Sequence, residues 1–268
     1  MARLHMTGII ITALTIAALW YIAMCAYLYF HQSSIVYFPD KSNFEQCANF
    51  SDAEKIAWNG TRMYFKDNGD TLAIFYHGNA GTACESKKMK DFLQQQNYSY
   101  LFVEYAGYAN DSKKPGYGLI LQDVKNAAEF VKTKNPKKVV VIGESLGSGA
   151  ASYHASIASA DAVVLVVPFN SFKELAQEKY PLFPVSLLLT ETYDNEKWLK
   201  GYQGNALIVH GDADSTIPQR HSRKLFGSLA TKNKEYASIG GADHNEVYDF
   251  QETWDVIREA LEQPTSFS

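Results

Sequence analysis

The chain has 268 residues, 46% of them hydrophobic, and a formal net charge of −4, enough for one sizeable core or for one domain with an appendage. No run of Lys and Arg stands out, which argues against nucleic-acid binding, where a basic stripe supplies the affinity. The cysteines Cys25, Cys47 and Cys84 form no Cys-x-x-Cys and no His/Cys cluster at zinc spacing, so neither a structural metal nor a cofactor is expected.

The N-terminus differs in kind from the rest. From 7 to 30 (TGIIITALTIAALWYIAMCAYLYF) no residue is charged. About two dozen residues at helical rise can cross a hydrocarbon core of roughly 30 Å. Trp20, Tyr21, Tyr27 and Tyr29 crowd the C-terminal half, where an interfacial aromatic belt would sit. The stretch exceeds the usual h-region of a signal peptide, and Ala23-Met24-Cys25 is a poor cleavage site. A buried globular helix would show a polar face. The expectation is an uncleaved anchor over 1–33, spanning at about 7–30, followed by a folded domain over 34–268. Arg3 and the free amine precede the span, whereas His31, Asp40 and Lys41 follow it. This small positive excess places the domain on the non-cytoplasmic side. There Cys47 and Cys84 would meet an oxidising compartment and could pair, although both could equally be free thiols. Asn49, Asn59, Asn97 and Asn110 begin N-x-S/T triplets, which matter only in a eukaryotic lumen.

Beyond the anchor, apolar runs alternate with helical patterns. Strands are predicted at 34–38, 61–65, 71–76, 98–105, 138–142, 162–167, 206–210 and 235–239. Several lack polar alternation, as strands buried on both faces do. Helices are predicted at 86–95, 119–133, 146–159, 219–230 and 246–262. This order predicts an α/β class with a mostly parallel, doubly wound sheet. Its ligands should bind beyond the C-terminal strand ends. The segment 169–204 is longer than one crossover helix needs, and it reads as a two-helix connection forming a small cap.

The sharpest motif is Gly143-Glu144-Ser145-Leu146-Gly147, between the strand at 138–142 and an Ala- and Ser-rich helix. A serine hydroxyl needs exposure, alignment and a base to become nucleophilic. A tight strand-to-helix turn supplies the exposure, with Gly143 and Gly147 removing side chains that would collide there. His77-Gly78-Asn79-Ala80-Gly81 follows the strand at 71–76. Gly78 loosens this loop, and the backbone N–H groups of Asn79 and Leu146 are the candidate oxyanion donors. His77 reads as structural, tying the loop together through its ring. Asn79 could also be a simple turn residue. His210-Gly211-Asp212-Ala213-Asp214 ends the next-to-last strand. Of its two acids, Asp214 is the candidate partner for a histidine, and Asp212 fits the turn. Gly240-Gly241-Ala242-Asp243-His244-Asn245 follows the last strand, and His244 is the candidate base. The order Ser145, Asp214, His244 is that of the nucleophile-elbow hydrolases.

With these motifs in place the chain resembles the membrane-anchored α/β-hydrolase-domain proteins. The likeness takes in Tyr37-Phe38-Pro39, HGNAG, Glu104-Tyr105-Ala106-Gly107-Tyr108, GESLG, Tyr180-Pro181-Leu182-Phe183-Pro184, HGDAD and GADHN, which is nearly the whole chain. It implies the α/β-hydrolase fold with a short helical cap and one N-terminal transmembrane helix. It also implies esterase, thioesterase or lysophospholipase activity on acyl chains. Ala106 stands where that group usually has arginine, Ala109 where it has glycine, and Asn205 where it tends to have proline. The expected function is cleavage of acyl esters or thioesters through an acyl-serine intermediate, on lipid-like or acylated substrates beside a membrane. An aspartate-nucleophile enzyme of the same fold is disfavoured by Ser145. A catalytically silent, membrane-anchored interaction module is the alternative, and the complete triad argues against it.

Overall fold

A computed structural model describes residues 2–262. Residue 1 of the expected anchor and 263–268 of the expected domain lie outside them. Helix α1 (Ala2–Val36) opens the chain. Within its stretch His5–Val36, long and apolar enough to cross a membrane, the most apolar 18 residues have mean hydropathy 2.2 and are unburied. The hydroxyls of Thr7, Thr12 and Thr15 donate to the carbonyls of Arg3, Gly8 and Ile11, which hides their polarity within the helix. The helix runs beyond the expected boundary at 33. The strand predicted at 34–38 is therefore corrected to a last helical turn and a two-residue strand β1 (Phe38–Pro39). Gln32 and Ser33 make hydrogen bonds to the distant residues Leu188, Thr190 and Glu191, and these hold the turn that local propensity alone would release.

Two 3-10 turns, Phe44–Gln46 and Ala48–Phe50, lead to strands β2 (Glu54–Trp58) and β3 (Thr61–Lys66). Strand β2 was not predicted, since its Glu54-Lys55 opening is polar and it is an edge strand paired with β3. Its signal was Asn59-Gly60, which turns the hairpin with φ of 49° and 84°. Next come β4 (Thr71–Tyr76), β5 (Ala80–Gly81), α2 (Lys87–Gln95), β6 (Ser99–Glu104), α3 (Tyr117–Lys134), β7 (Lys138–Glu144), α4 (Gly147–Ile157) and β8 (Ala162–Val166). Then follow α5 (Phe172–Lys179), α6 (Val185–Leu188), α7 (Asn195–Leu199), β9 (Asn205–Gly211), α8 (Gln219–Ser228), β10 (Lys234–Ile239) and α9 (Gln251–Glu262). The helix predicted at 246–262 is broken at Phe250, which is extended between a 3-10 turn and α9.

Among the described residues the main sheet runs β10-β9-β8-β7-β4-β6-β3-β2, parallel from β10 to β6 and antiparallel at β3 and β2. Strand β4 shows why its run TLAIFY lacks alternation. Leu72, Ile74 and Tyr76 enter one core, while Ala73 and Phe75 enter the core on the opposite face. On α3, Ile120, Val124, Ala127 and Val131 form one buried stripe at helical spacing. Each large side chain so buried stabilises by about 1.5–3 kcal/mol. Chain order reverses beside β4, with β6 on one side and β7 on the other. That reversal opens a crevice at the strand ends, where ligands of such sheets bind.

Segment 169–204 carries α5, α6 and α7. A bridge between Ser171 and Asp194 and the Phe172 N–H to Tyr193 carbonyl bond, 2.9 Å, close a neck. Helices α5 and α6 lie beyond the neck and cover the strand ends, and α7 returns the chain against α4. Cys47 and Cys84 are joined in a disulfide with a Cα separation of 5.8 Å. It ties the segment before β2 to the 3-10 turn Ala83–Glu85 that follows β5.

Candidate active site

Strand β7 ends at Glu144 and α4 starts at Gly147, so Ser145 sits in the intervening turn. Its φ is +53°, a left-handed angle that costs a non-glycine residue about 1–3 kcal/mol and persists only where surroundings enforce it. The enforcement is visible. Ser145 N–H donates to the Val166 carbonyl at 2.9 Å, and the Ser145 carbonyl accepts from Ser148 N–H at 3.0 Å and Ser148 Oγ at 2.6 Å. Gly143 and Gly147 are needed for close approach. A Cβ on Gly143 would lie 2.3 Å from the Gly147 carbonyl oxygen, and one on Gly147 would lie 2.1 Å from that of Tyr76. Gly78 differs from this expectation: its Cβ would meet Ser145 Cβ at an ordinary 3.7 Å, so the loop does not depend on glycine there for space.

His244 Nε2 lies 2.9 Å from Ser145 Oγ, and His244 Nδ1 lies 2.7 Å from Asp214 Oδ2. An ionised carboxylate only accepts, so Nδ1 carries the proton and Nε2 offers its lone pair to the serine hydroxyl. Asp214 Oδ1 accepts from the N–H groups of Thr216 and Ile217, both at 2.8 Å. Burial pushes the Asp214 carboxyl up. Hydrogen bonds from His210, His244 and the Ile217 N–H, with the charge of His244, outweigh burial and hold it well below the ordinary carboxylate range.

Other residues of these loops have positions that the motifs did not reveal. His210 Nε2 lies 2.8 Å from the Ile217 carbonyl and 3.1 Å from Asp214 Oδ2, so it packs the acid from behind. Asp212 accepts from Gly241 N–H at 2.7 Å. Asp243 accepts from the N–H groups of His244 and Ser215 at 2.7 and 3.0 Å. These bonds lock the acid loop to the base loop. The motif HGD already contained His210, but spacing alone could not show that its ring turns toward Asp214.

The loop after β4 is pinned through β1. The Asn79 carbonyl accepts from Phe38 N–H at 2.9 Å and Tyr108 OH at 2.7 Å, while Asn79 Nδ2 donates to Val36 O at 3.0 Å. Among the described residues, the N–H groups of Asn79 and Leu146 donate to no other protein group. His77 ties the loop by stacking on Tyr105, with ring centres 4.1 Å apart, and its Nε2 is 3.5 Å from Glu104 Oε1. Ala106 N–H donates to Asp123 Oδ2 at 2.7 Å, and Thr61 Oγ1 to Asp123 Oδ1 at 2.6 Å. The Ala106 N–H is thus turned to α3. Ala109, in the place of a usual glycine, takes φ +46°.

A cavity of about 320 Å³ opens over Ser145 and Leu146. Its walls come from the end of α1, from Asn79, from Phe172 and Leu175 on α5, and from the α6 segment. Among the described residues no three His, Cys, Asp or Glu side chains are grouped to hold a metal ion.

No family model matches the chain. The uncharacterised protein YfhR of Escherichia coli K12 is 28% identical over 269 residues, covering 91% of this chain and 90% of YfhR. An uncharacterised membrane protein of Saccharomyces cerevisiae S288c is 28% identical over 178 residues, 63% of each chain. Among solved structures, the Pyrococcus furiosus esterase Pf2001 superposes with a TM-score of 0.67 at 16% identity, covering 86% of this chain and all of that one. The fold is that of the α/β-hydrolases. In this fold the crevice beside β4 and β7 is where Ser145, His244 and Asp214 converge.

Proposed function

We propose that this protein is a serine hydrolase that cleaves acyl esters or thioesters through an acyl-serine intermediate. The observation that carries the reading is the unbroken line from Ser145 Oγ through His244 to Asp214, 2.9 and 2.7 Å, under an apolar cavity. Ser145 Oγ attacks the substrate carbonyl carbon while His244 Nε2 takes its proton. Asp214 holds the imidazole in the required tautomer and stabilises the imidazolium. The oxyanion is received by the free N–H groups of Asn79 and Leu146, each such donor being worth about 2.7–4 kcal/mol in comparable sites. His244 returns the proton to the departing alcohol or thiol. Water, deprotonated by His244, then releases the acid and restores Ser145.

The likeness to the Pyrococcus esterase supports this chemistry, and the apolar length of α1 supports attachment to a membrane. On this reading the domain lies on the non-cytoplasmic side. The Cys47–Cys84 bond supports that placement, because such bonds persist in oxidising compartments.

Treatment of the detergent-solubilised protein with a fluorophosphonate probe tests the reading. Wild type should be labelled, Ser145→Ala should not, and Asp214→Asn should react more slowly by roughly 10⁴-fold, as when a triad histidine loses its tautomer partner. A folded wild type that resists the probe would shift the reading to the catalytically silent membrane-anchored module.

A further inference from the structure

Helix α1 is more than a tether in this structure. Tyr21, Cys25, Leu28, Gln32 and Ile35 recur at spacings of three and four, which makes one helical face. That face meets the cap. Tyr21 OH donates to the Leu182 carbonyl at 2.9 Å, and its ring lies parallel to that of Phe183 at 5.8 Å. Gln32 is held by the Leu188 carbonyl at 3.1 Å and the Thr190 N–H at 2.7 Å. Leu28, between these two attachments, and Gln32 itself line the cavity that reaches Ser145.

The attachments also set a depth. The uncharged apolar stretch of α1 ends at Phe30, with His31 after it. Tyr21 stands nine residues before Phe30, about 14 Å down the helix at about 1.5 Å per residue. The cap segment bonded to Tyr21 therefore lies beside the lipid-facing part of α1. It carries Leu182 and Leu187, exposed at 82% and 80%. Side chains so placed can be covered by acyl chains, which takes their apolar surface out of water.

We propose that α1 is a wall of the acyl site, with the cap segment bearing Leu182 and Leu187 seated in one leaflet. The substrate is a bilayer-resident acyl ester or thioester whose chain enters the cavity sideways past Leu28 and Gln32. Its tail stays toward the leaflet while its carbonyl reaches Ser145 above the membrane plane. The proposal rests on the hydrolase reading and adds the source of the substrate and the residues that select it.

The test uses the full chain in phosphatidylcholine vesicles. Leu28→Trp fills the α1 side of the cavity. The ratio of kcat/KM for a dodecanoyl over a butanoyl nitrophenyl ester should fall by about ten-fold or more, the loss expected when two or more methylenes are no longer buried. In parallel, a nitroxide on Leu182→Cys, in a Cys25→Ser background, reports insertion whether or not any ester is turned over. Oxygen should collide with it more often than a polar nickel chelate does. A nitroxide more open to the chelate overturns the proposal. So does an unmoved chain-length ratio in protein that the fluorophosphonate labels, and in that case the hydrolase reading stands. An unlabelled wild type overturns both.

Discussion

At Gly147 the methyl group of alanine would lie 2.1 Å from the Tyr76 carbonyl oxygen and 2.5 Å from that of His77. Both are backbone atoms that cannot turn aside, so the helix must lift from the sheet. Gly147→Ala is expected to lose about 1–3 kcal/mol by overpacking. Gly78→Ala, whose methyl meets Ser145 Cβ at 3.7 Å, should stay within about 1 kcal/mol of wild type, as ordinary contacts allow. Thermal unfolding of the two variants in detergent measures the difference, and equal losses would sink this account of the elbow. Strain gathers around the same point. Ser145 has φ +53° and Val167 φ +45°, the latter a β-branched residue for which such an angle is an outlier. Val167 directly follows Val166, whose carbonyl holds Ser145 N–H, and its own N–H is fixed by the Val209 carbonyl at 2.8 Å. The sheet holds both angles in place.

Between elements, Asp123 on α3 is held against its ordinary ionisation. Burial outweighs its hydrogen bonds from Thr61 and Ala106 and pushes its carboxyl up to about 6. The folded state then binds this proton more tightly than the unfolded chain does. The group's contribution is fully present below the ordinary aspartate range near pH 4 and is lost as pH rises through about 6, on the order of 3 kcal/mol in all. Asp214 runs the other way: its depressed carboxyl stabilises the fold above the ordinary range, and that contribution is lost as pH falls. The Tm of wild type minus that of Asp123→Asn should therefore decrease from pH 5 to pH 7.5. Parallel curves for the two proteins would refute a buried, proton-holding Asp123. The burial has a plain origin, since the carboxylate joins β3 to the loop after β6 through Thr61 and Ala106.

For the whole molecule, helix α1 and the disulfide bear on one question, which side of a membrane would hold the proposed hydrolase domain. The Cys47–Cys84 bond closes a sequence separation of 37, a loop for which a disulfide is worth about 2–4 kcal/mol. Intact cells treated first with a membrane-impermeant reductant and then with a membrane-impermeant maleimide carrying polyethylene glycol should yield a doubly modified protein. Cys47→Ser or Cys84→Ser should yield a singly modified one. Absence of modification in sealed cells, with modification after lysis, would place the domain on the cytoplasmic side.

Much of the chain was legible as sequence. The strands around β4, β6, β7, β8, β9 and β10 and the helices α2, α3, α4 and α8 lie within two residues of their expected bounds. Ser145, Asp214 and His244 stand out because each follows a strand in a turn whose residue types are dictated by local backbone geometry. Three neighbouring glycines or acids can signal such a turn without any knowledge of the rest. Tertiary structure alone decided what depends on residues far apart. It kept α1 helical to Val36 through Gln32 and Ser33, which bond to residues near 190. It joined Cys47 to Cys84, set His210 behind Asp214, and turned the α1 face of Leu28, Gln32 and Ile35 into a wall of the cavity. Such contacts form when the sheet brings distant segments together, and no short window of sequence records that approach.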